Sequence, residues 1–307
     1  MKQKSFALKM TRKTELARVL SETRTSYIVG QADGKTFFVD KGKINSYVGD
    51  IVELEQIGSQ MKIKSIQERK NLVSKARNKT SKSYRYSKDS QVLATNVDQI
   101  FILLAVNQNL TLSKLERYAL VFGQKNIQLL FVLTKIDLVD DWAPFIQEVK
   151  ELYPQLTLIP VSIYRPDSLK ELARHFSPEG IGLLLGSSGA GKSSLINHFR
   201  GEELQAVSPV RSDGKGKHTT TASYFLYSPE LDYYFIDTPG FKGIDRHDSF
   251  YLSILFDDIL ELADWCRFSD CHHQTEKACA VKQAVEDGRL RSKKLERYRK
   301  IVALCQL

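Results

Sequence analysis

The sequence predicts a multi-domain chain with an N-terminal β-barrel of the OB-fold type, a central α/β unit on a mainly parallel sheet, and a C-terminal α-helical unit. Three observations carry that expectation. Residues 14–67 break into short apolar stretches separated by turns. Residues 97–240 alternate apolar strands with helical stretches, the signature of a sheet covered by helices on both faces. From about residue 245 onward the pattern is helical and basic near its end, and all four cysteines, Cys266, Cys271, Cys279 and Cys305, lie there. The corresponding boundaries are 1–68, a basic linker at 69–96, 97–243 and 244–307.

In the first unit, residues 17–20, 27–29, 36–39, 51–54 and 61–66 read as strands, punctuated by Asp33-Gly34, Gly49-Asp50 and Gly58-Ser59. Five short strands in so few residues suit a small closed barrel, of which the OB-fold is the commonest and an SH3-like barrel the alternative. Residues 69–88 carry Arg69, Lys70, Lys75, Arg77, Lys79, Lys82, Arg85 and Lys88 with no acid among them, and Tyr84 and Tyr86 between the charges. Such a segment is expected to bury no core. It suits a phosphate-contacting arm whose tyrosines stack on bases, or a plain solvated linker. In the central unit, 100–106 is a near-continuous apolar run, as expected of a strand buried on both faces. A helix follows over 112–124, with Leu115, Leu120 and Phe122 for its buried side, and further strands over 128–133, 156–161, 181–185 and 233–236.

Composition bounds the function. Lys+Arg exceed Asp+Glu by 45 to 36, a net +9 that points to a polyanionic partner such as nucleic acid. The longest apolar run is too short to span a bilayer, and residues 1–13 are polar and basic without the apolar core of a secretory signal. A cytoplasmic monomer with no membrane partner is expected, its cysteines serving thiol or metal chemistry rather than disulfides.

The chemistry begins at Gly186-Ser187-Ser188-Gly189-Ala190-Gly191-Lys192-Ser193, which is G-x-x-x-x-G-K-S set between an apolar strand and an amphipathic segment opening at Ser194. The glycines let backbone N–H groups wrap phosphates, and the helix N-terminus adds positive potential. Lys192 suits the β- and γ-phosphates and the Ser193 hydroxyl suits Mg²⁺. Asp237-Thr238-Pro239-Gly240 ends the last strand. Asp237 fits the carboxylate that orients Mg²⁺, and the Gly240 N–H fits the γ-phosphate. Thr134-Lys135-Ile136-Asp137 has the form of the guanine-reading N/T-K-x-D element: an Asp carboxylate accepts the N1–H and N2–H₂ of guanine, a donor pair adenine lacks. Ser162-Ile163, after the next strand, is the matching base loop.

Between the phosphate-loop helix and Asp237, Arg211-Ser212-Asp213-Gly214-Lys215-Gly216-Lys217-His218-Thr219-Thr220-Thr221 stands where GTPases place a first switch. Phe241 follows Gly240 where many GTPases carry a water-orienting glutamine, and a phenyl ring cannot orient water. The sequence therefore predicts slow unassisted hydrolysis and nominates His218 as the group that orients or deprotonates the water. Two alternatives stand beside this reading: an RNA-binding module that holds nucleotide without turnover, and an ATPase or small-molecule kinase on the same loop. In the tail, Cys266-x4-Cys271-x-His273-x5-Cys279 supplies three thiolates and an imidazole, a closed tetrahedral set that suits one structural Zn²⁺, with His272 a competing ligand. Cys305 is left over and reads as a buried thiol. Lys282, Arg289, Arg291, Lys293, Lys294, Arg297, Arg299 and Lys300 suggest a basic face on the tail.

In most GTPases the phosphate loop precedes the base-reading elements; here it follows them. Barrel, reordered GTPase motifs and cysteine-bearing tail together resemble the circularly permuted, small-ribosomal-subunit-dependent GTPase A family, over nearly the whole chain. The resemblance implies Thr220 as the switch threonine that joins Mg²⁺, a choice among Thr219–Thr221 that the residues alone leave open. It also implies His273 over His272 at the zinc site. As partner it implies the small ribosomal subunit and its rRNA, with subunit-stimulated hydrolysis of GTP to GDP and phosphate late in subunit maturation.

Overall fold

The computed structural model describes residues 15–76, 90–201, 223–239 and 251–305. The first five strands are β1 (Glu15–Glu22), β2 (Ser26–Gln31), β3 (Thr36–Asp40), β4 (Ile51–Ile57) and β5 (Gln60–Ile66), matching the five expected stretches. They pair antiparallel in the order β3-β2-β1-β4-β5, and β3 lies against β5. Alternation along β1 turns Ala17 and Val19 inward, where they meet Tyr27, Val29, Val39, Val52 and Leu54 in a small core of their own. At the barrel's exit, the Asp50 carboxylate is fully buried. It accepts from Arg69 Nε at 2.7 Å and Nη2 at 2.8 Å, from Thr95 Oγ1 at 2.8 Å and from the Tyr47 amide at 2.8 Å.

Residues 69–96, expected as a basic linker, contain two strands. β6 (Leu72–Ala76) and β7 (Ser90–Thr95) form an antiparallel ribbon, and Val73, Leu93 and Ala94 are buried in the main core. The expectation that residues 69–88 bury no core therefore fails at Val73, which pairs with Ala94 across the ribbon and is buried with it. Residues 77–89, with Tyr84 and Tyr86, lie outside the described residues.

The central strands are β8 (Gln99–Ala105), β9 (Gln128–Thr134), β10 (Thr157–Val161), β11 (Ile181–Gly186), β12 (Tyr224–Ser228) and β13 (Tyr233–Asp237). The helices are α1 (Leu112–Phe122), α2 (Ala143–Leu152), α3 (Pro166–Ala173), α4 (Lys192–Arg200), α5 (Ser253–Ala263), α6 (Ala280–Glu286) and α7 (Ser292–Cys305). Strands β10-β9-β8-β11-β13 run parallel, and every residue of β8 is buried, as the apolar run requires. Leu115, Leu120 and Phe122 of α1 are buried on one face of the sheet, whereas Leu169 and Leu172 of α3 and Leu195, Ile196 and Phe199 of α4 are buried on the other.

The sheet is nevertheless mixed. β12 is antiparallel to β13, and its Tyr224 pairs with Ser21 of β1, whose hydroxyl donates to the Ser223 carbonyl at 3.0 Å. Barrel and central unit thus share one continuous sheet, a junction closed by the Arg18 guanidinium lying over the Phe225 ring.

A second correction concerns the tail. Basic side chains of α7 and of Arg291 just before it pair with carboxylates: Arg291 with Glu151 at 3.4 Å, Lys293 with Glu148 at 2.5 Å, Lys294 with Asp258 at 2.7 Å, and Arg297 with Glu116. Arg289 pairs with Asp287 at 3.0 Å. Four of the eight cations expected on a basic face, Arg291, Lys293, Lys294 and Arg297, thus pair with carboxylates of α1, α2 and α5, which the linear sequence places far away. The side chain of Cys305 lies outside the described residues. Among the described residues, no helix is long and apolar enough to cross a membrane.

Candidate functional site

The C-terminal ends of β8, β9, β10, β11 and β13 converge on one edge of the sheet, the usual place for a ligand site in an open parallel sheet. β11 ends at Gly186, and the loop from Ser187 to Gly191 leads into α4. Gly191 caps that helix at φ +91°, a conformation a β-carbon disfavours. Gly186 is compact for a different reason: an added β-carbon would lie 2.7 Å from the Leu103 carbonyl oxygen. Ala190 N–H closes the loop onto the Ser187 carbonyl at 3.1 Å. Ser193 and Ser194 stand exposed in the first turn of α4.

Lys192 is buried, and its ammonium donates to the Gly186 carbonyl at 3.1 Å and to the Ser187 carbonyl at 3.4 Å. Burial lowers its proton affinity, and Asp237 partly offsets that. Asp237 ends β13, paired in register with Leu184 of β11. Burial pushes its carboxyl up to about 6, opposed by Lys192. Its Oδ1 is buried and has no hydrogen-bond partner among the described residues. The following Thr238 hydroxyl bonds the Leu184 carbonyl at 2.9 Å, which fixes the strand end beside the loop. A buried ammonium, an oxygen lacking a donor and a helix N-terminus thus meet at one place, a set suited to a polyanion carrying a cation.

The base-reading elements join the same edge. Thr134 is buried at the end of β9, and its hydroxyl donates to the Ala190 carbonyl at 2.7 Å, tying that element directly to the phosphate loop. Lys135 adopts φ +62°, which turns the chain into a 3-10 turn over Ile136–Leu138 and leaves Asp137 exposed. Thr134 is in register with Val161 of β10, so Ser162 and Ile163 emerge beside it. Ser162 is buried; its amide is held by Ser168 Oγ at 3.1 Å and its own Oγ accepts from the Tyr164 amide at 3.1 Å. Ile163 is exposed.

Sequence reasoning missed Gln108. It follows β8, and its Oε1 accepts from Ser187 Oγ at 2.6 Å while its Nε2 donates to the Ser188 carbonyl at 3.0 Å. The available signal was the polar Asn107-Gln108-Asn109 run directly after the most apolar strand. His218, Thr220, Gly240 and Phe241 lie outside the described residues.

In the tail, Cys266, Cys271, His273 and Cys279 offer ligand atoms all within 4.8 Å of one another, a group able to hold a metal ion. His273 Nδ1 is 3.6 Å from Cys266 Sγ and 3.4 Å from Cys279 Sγ, and the two sulfurs are 3.8 Å apart. The cluster takes His273 and leaves out His272, whose backbone amide is held by Glu276 Oε1 at 2.8 Å. Burial lowers the proton affinity of His273, which favours the neutral ring that a metal requires.

A family model described as RsgA GTPase matches residues 66–247. The chain belongs to the RsgA GTPase family. A small ribosomal subunit biogenesis GTPase RsgA of Methanosarcina acetivorans is 38% identical over 213 residues, 69% of this chain and 58% of that protein. RsgA 2 of Vibrio vulnificus is 33% identical over 303 residues, 98% of this chain and 84% of that protein. The chain therefore spans well under two thirds of the archaeal relative and most of the Vibrio one. Among solved structures, YjeQ from Thermotoga maritima superposes with a TM-score of 0.65 at 26% identity, covering 96% of this chain and 99% of that one. YloQ, described as a circularly permuted GTPase, gives 0.65 at 23% identity, covering 97% of each. The chain has that circularly permuted GTPase fold on a mixed sheet. The reversed motif order costs nothing in space, because β11 still lies between β8 and β13.

Proposed function

We propose that this protein hydrolyses GTP to GDP and phosphate while bound to the small ribosomal subunit, in late subunit maturation, with hydrolysis stimulated by the subunit. The single observation that carries the nucleotide reading is the 2.7 Å bond from Thr134 Oγ1 to the Ala190 carbonyl: it makes the base-reading element and the phosphate loop walls of one pocket. The subunit as partner rests on the names of the relatives, small ribosomal subunit biogenesis GTPases.

In this reading Asp137 accepts from guanine, the Lys135 stem lies along the base, and Ser162 and Ile163 border it. The amides of Gly186–Ser194 and the Lys192 ammonium hold the phosphates, Lys192 exchanging its two carbonyl partners for phosphate oxygens. Ser193, Thr220 and Asp237 hold Mg²⁺, and the orphaned buried Oδ1 of Asp237 fits that assignment. The ion neutralises charge on the β- and γ-phosphates. Gly240 donates to the γ-phosphate, and His218 orients or deprotonates the attacking water.

The Cys₃His cluster holds one structural Zn²⁺. Zn–S bonds of about 2.3 Å and Zn–N bonds of about 2.05 Å at tetrahedral angles require S···S edges near 3.8 Å and S···N edges near 3.6 Å. The separations of 3.8, 3.6 and 3.4 Å support that geometry. The order β3-β2-β1-β4-β5, with β3 against β5, supports an OB-fold barrel over 1–68. With the basic arm at 69–96, the GTPase unit at 97–243 and the helical zinc-binding unit at 244–307, it completes a cytoplasmic monomer that contacts rRNA.

The test is single-turnover GTP hydrolysis with and without purified small subunits across a salt series. Stimulation that weakens as salt rises is expected, since phosphate contacts release counterions. Tight GTP binding with no turnover at any subunit concentration would leave only a nucleotide-holding RNA-binding module, a reading that Phe241 permits.

A further inference from the structure

We propose that Gln108 is a positioning residue of the phosphate loop, whose carboxamide orients the Ser188–Gly189 peptide so that the Gly189 N–H faces the phosphates. The assignment rests on the GTP-hydrolysing reading above and adds a residue from the turn after β8, a strand that carries none of the nucleotide motifs.

The geometry is specific to an amide. The Ser188 carbonyl can only accept, so the group 3.0 Å from it must be the Nε2 donor. The Oε1 at 2.6 Å then receives the Ser187 hydroxyl. One side chain therefore grips two consecutive loop residues with both of its polar ends. A trans peptide is planar, with its N–H antiparallel to its C=O. Holding the Ser188 carbonyl toward Gln108 consequently turns the Gly189 N–H the opposite way. Gly189 is the residue that can most easily undo this. At φ +74° it has no β-carbon to restrict it, so its peptide is free to flip unless something outside the loop pins it. An added β-carbon there would stand 3.4 Å from Gln108 Nε2, which shows how closely the clamp sits. A preorganised backbone donor aimed at developing charge is worth more to the transition state than to the ground state.

The full-length chain is tested as wild type, Gln108→Met and Gln108→Glu. Methionine keeps the volume and removes both bonds. Glutamate keeps an acceptor for Ser187 but sets a carboxylate against the Ser188 carbonyl. Subunit-stimulated kcat is expected to fall by about tenfold to a hundredfold in Gln108→Met, and at least as far in Gln108→Glu. GDP affinity should stay within about threefold and Tm should be unchanged, with GTP losing more affinity than GDP. The assignment is overturned if Gln108→Met turns over like wild type, or if kcat, GDP affinity and Tm fall together as for a packing residue. If wild type binds GTP without turning it over, the proposed function fails instead. The selective loss of GTP over GDP affinity then decides the clamp by itself, and equal affinities would refute it.

Discussion

Replacing Arg297 with methionine strips a buried carboxylate of its cationic partner. Glu116 of α1 is 1% exposed and accepts from Tyr153 Oη at 2.5 Å, from Arg297 Nε at 2.8 Å and from Arg297 Nη2. Arg297 side-chain exposure is 18%, so solvent screens the pair little. Glu116 holds the Arg297 guanidinium above its usual proton affinity, and burial together with Glu116 keeps the Tyr153 phenol neutral. Breaking such a pair from one side costs about 3–5 kcal/mol. Urea unfolding should therefore show Arg297→Met losing about 3–5 kcal/mol at pH 7. Adding Glu116→Gln should restore most of the stability, because a neutral amide still accepts from Tyr153. A loss below about 1 kcal/mol, or a double variant no more stable than Arg297→Met alone, would refute the idea that this carboxylate depends on α7 for its charge partner.

Four further outcomes follow from the same physics. Gly49→Ala would set a β-carbon 2.2 Å from the Thr95 carbonyl oxygen at φ +100°, so denaturant melts should show a loss of at least about 2 kcal/mol. Thr134→Val removes the donor to Ala190 and should weaken GDP binding by about threefold to tenfold in calorimetry, without altering the fold by circular dichroism. Metal analysis should return one zinc per chain for wild type and a sharply lower content for Cys279→Ser, with faster amide exchange across residues 264–280. His218→Ala should bind GTP normally and lose most subunit-stimulated turnover; unaltered stimulated turnover removes the assignment.

The parts legible in the sequence are those whose physics is local. Gly191 is needed where the backbone enters a left-handed turn before a helix, and that demand is written in a few adjacent residues. The buried strand Gln99–Ala105 announces itself because both of its faces must be apolar. Three cysteines and a histidine within a short stretch restrict one another by chain length alone. Spacing cannot, however, choose between His272 and His273. The choice follows from backbone turns, with His273 at φ +57° and Glu276 holding the neighbouring amides.

Tertiary structure decided what depends on sheet order. Gln108 reaches a loop 79 and 80 positions away only because β8 is hydrogen-bonded to β11. The ribbon at the foot of the basic arm and the seam between β1 and β12 follow from pairings that leave no periodic trace in either partner. The cations of α7 looked free because their carboxylates lie on other helices; Arg297 and Glu116 are 181 positions apart. Local sterics and hydrophobic periodicity act over a few residues and are read from the chain itself. Charge pairing and side-chain clamps act across space, and they exist only once the sheet has brought distant segments together.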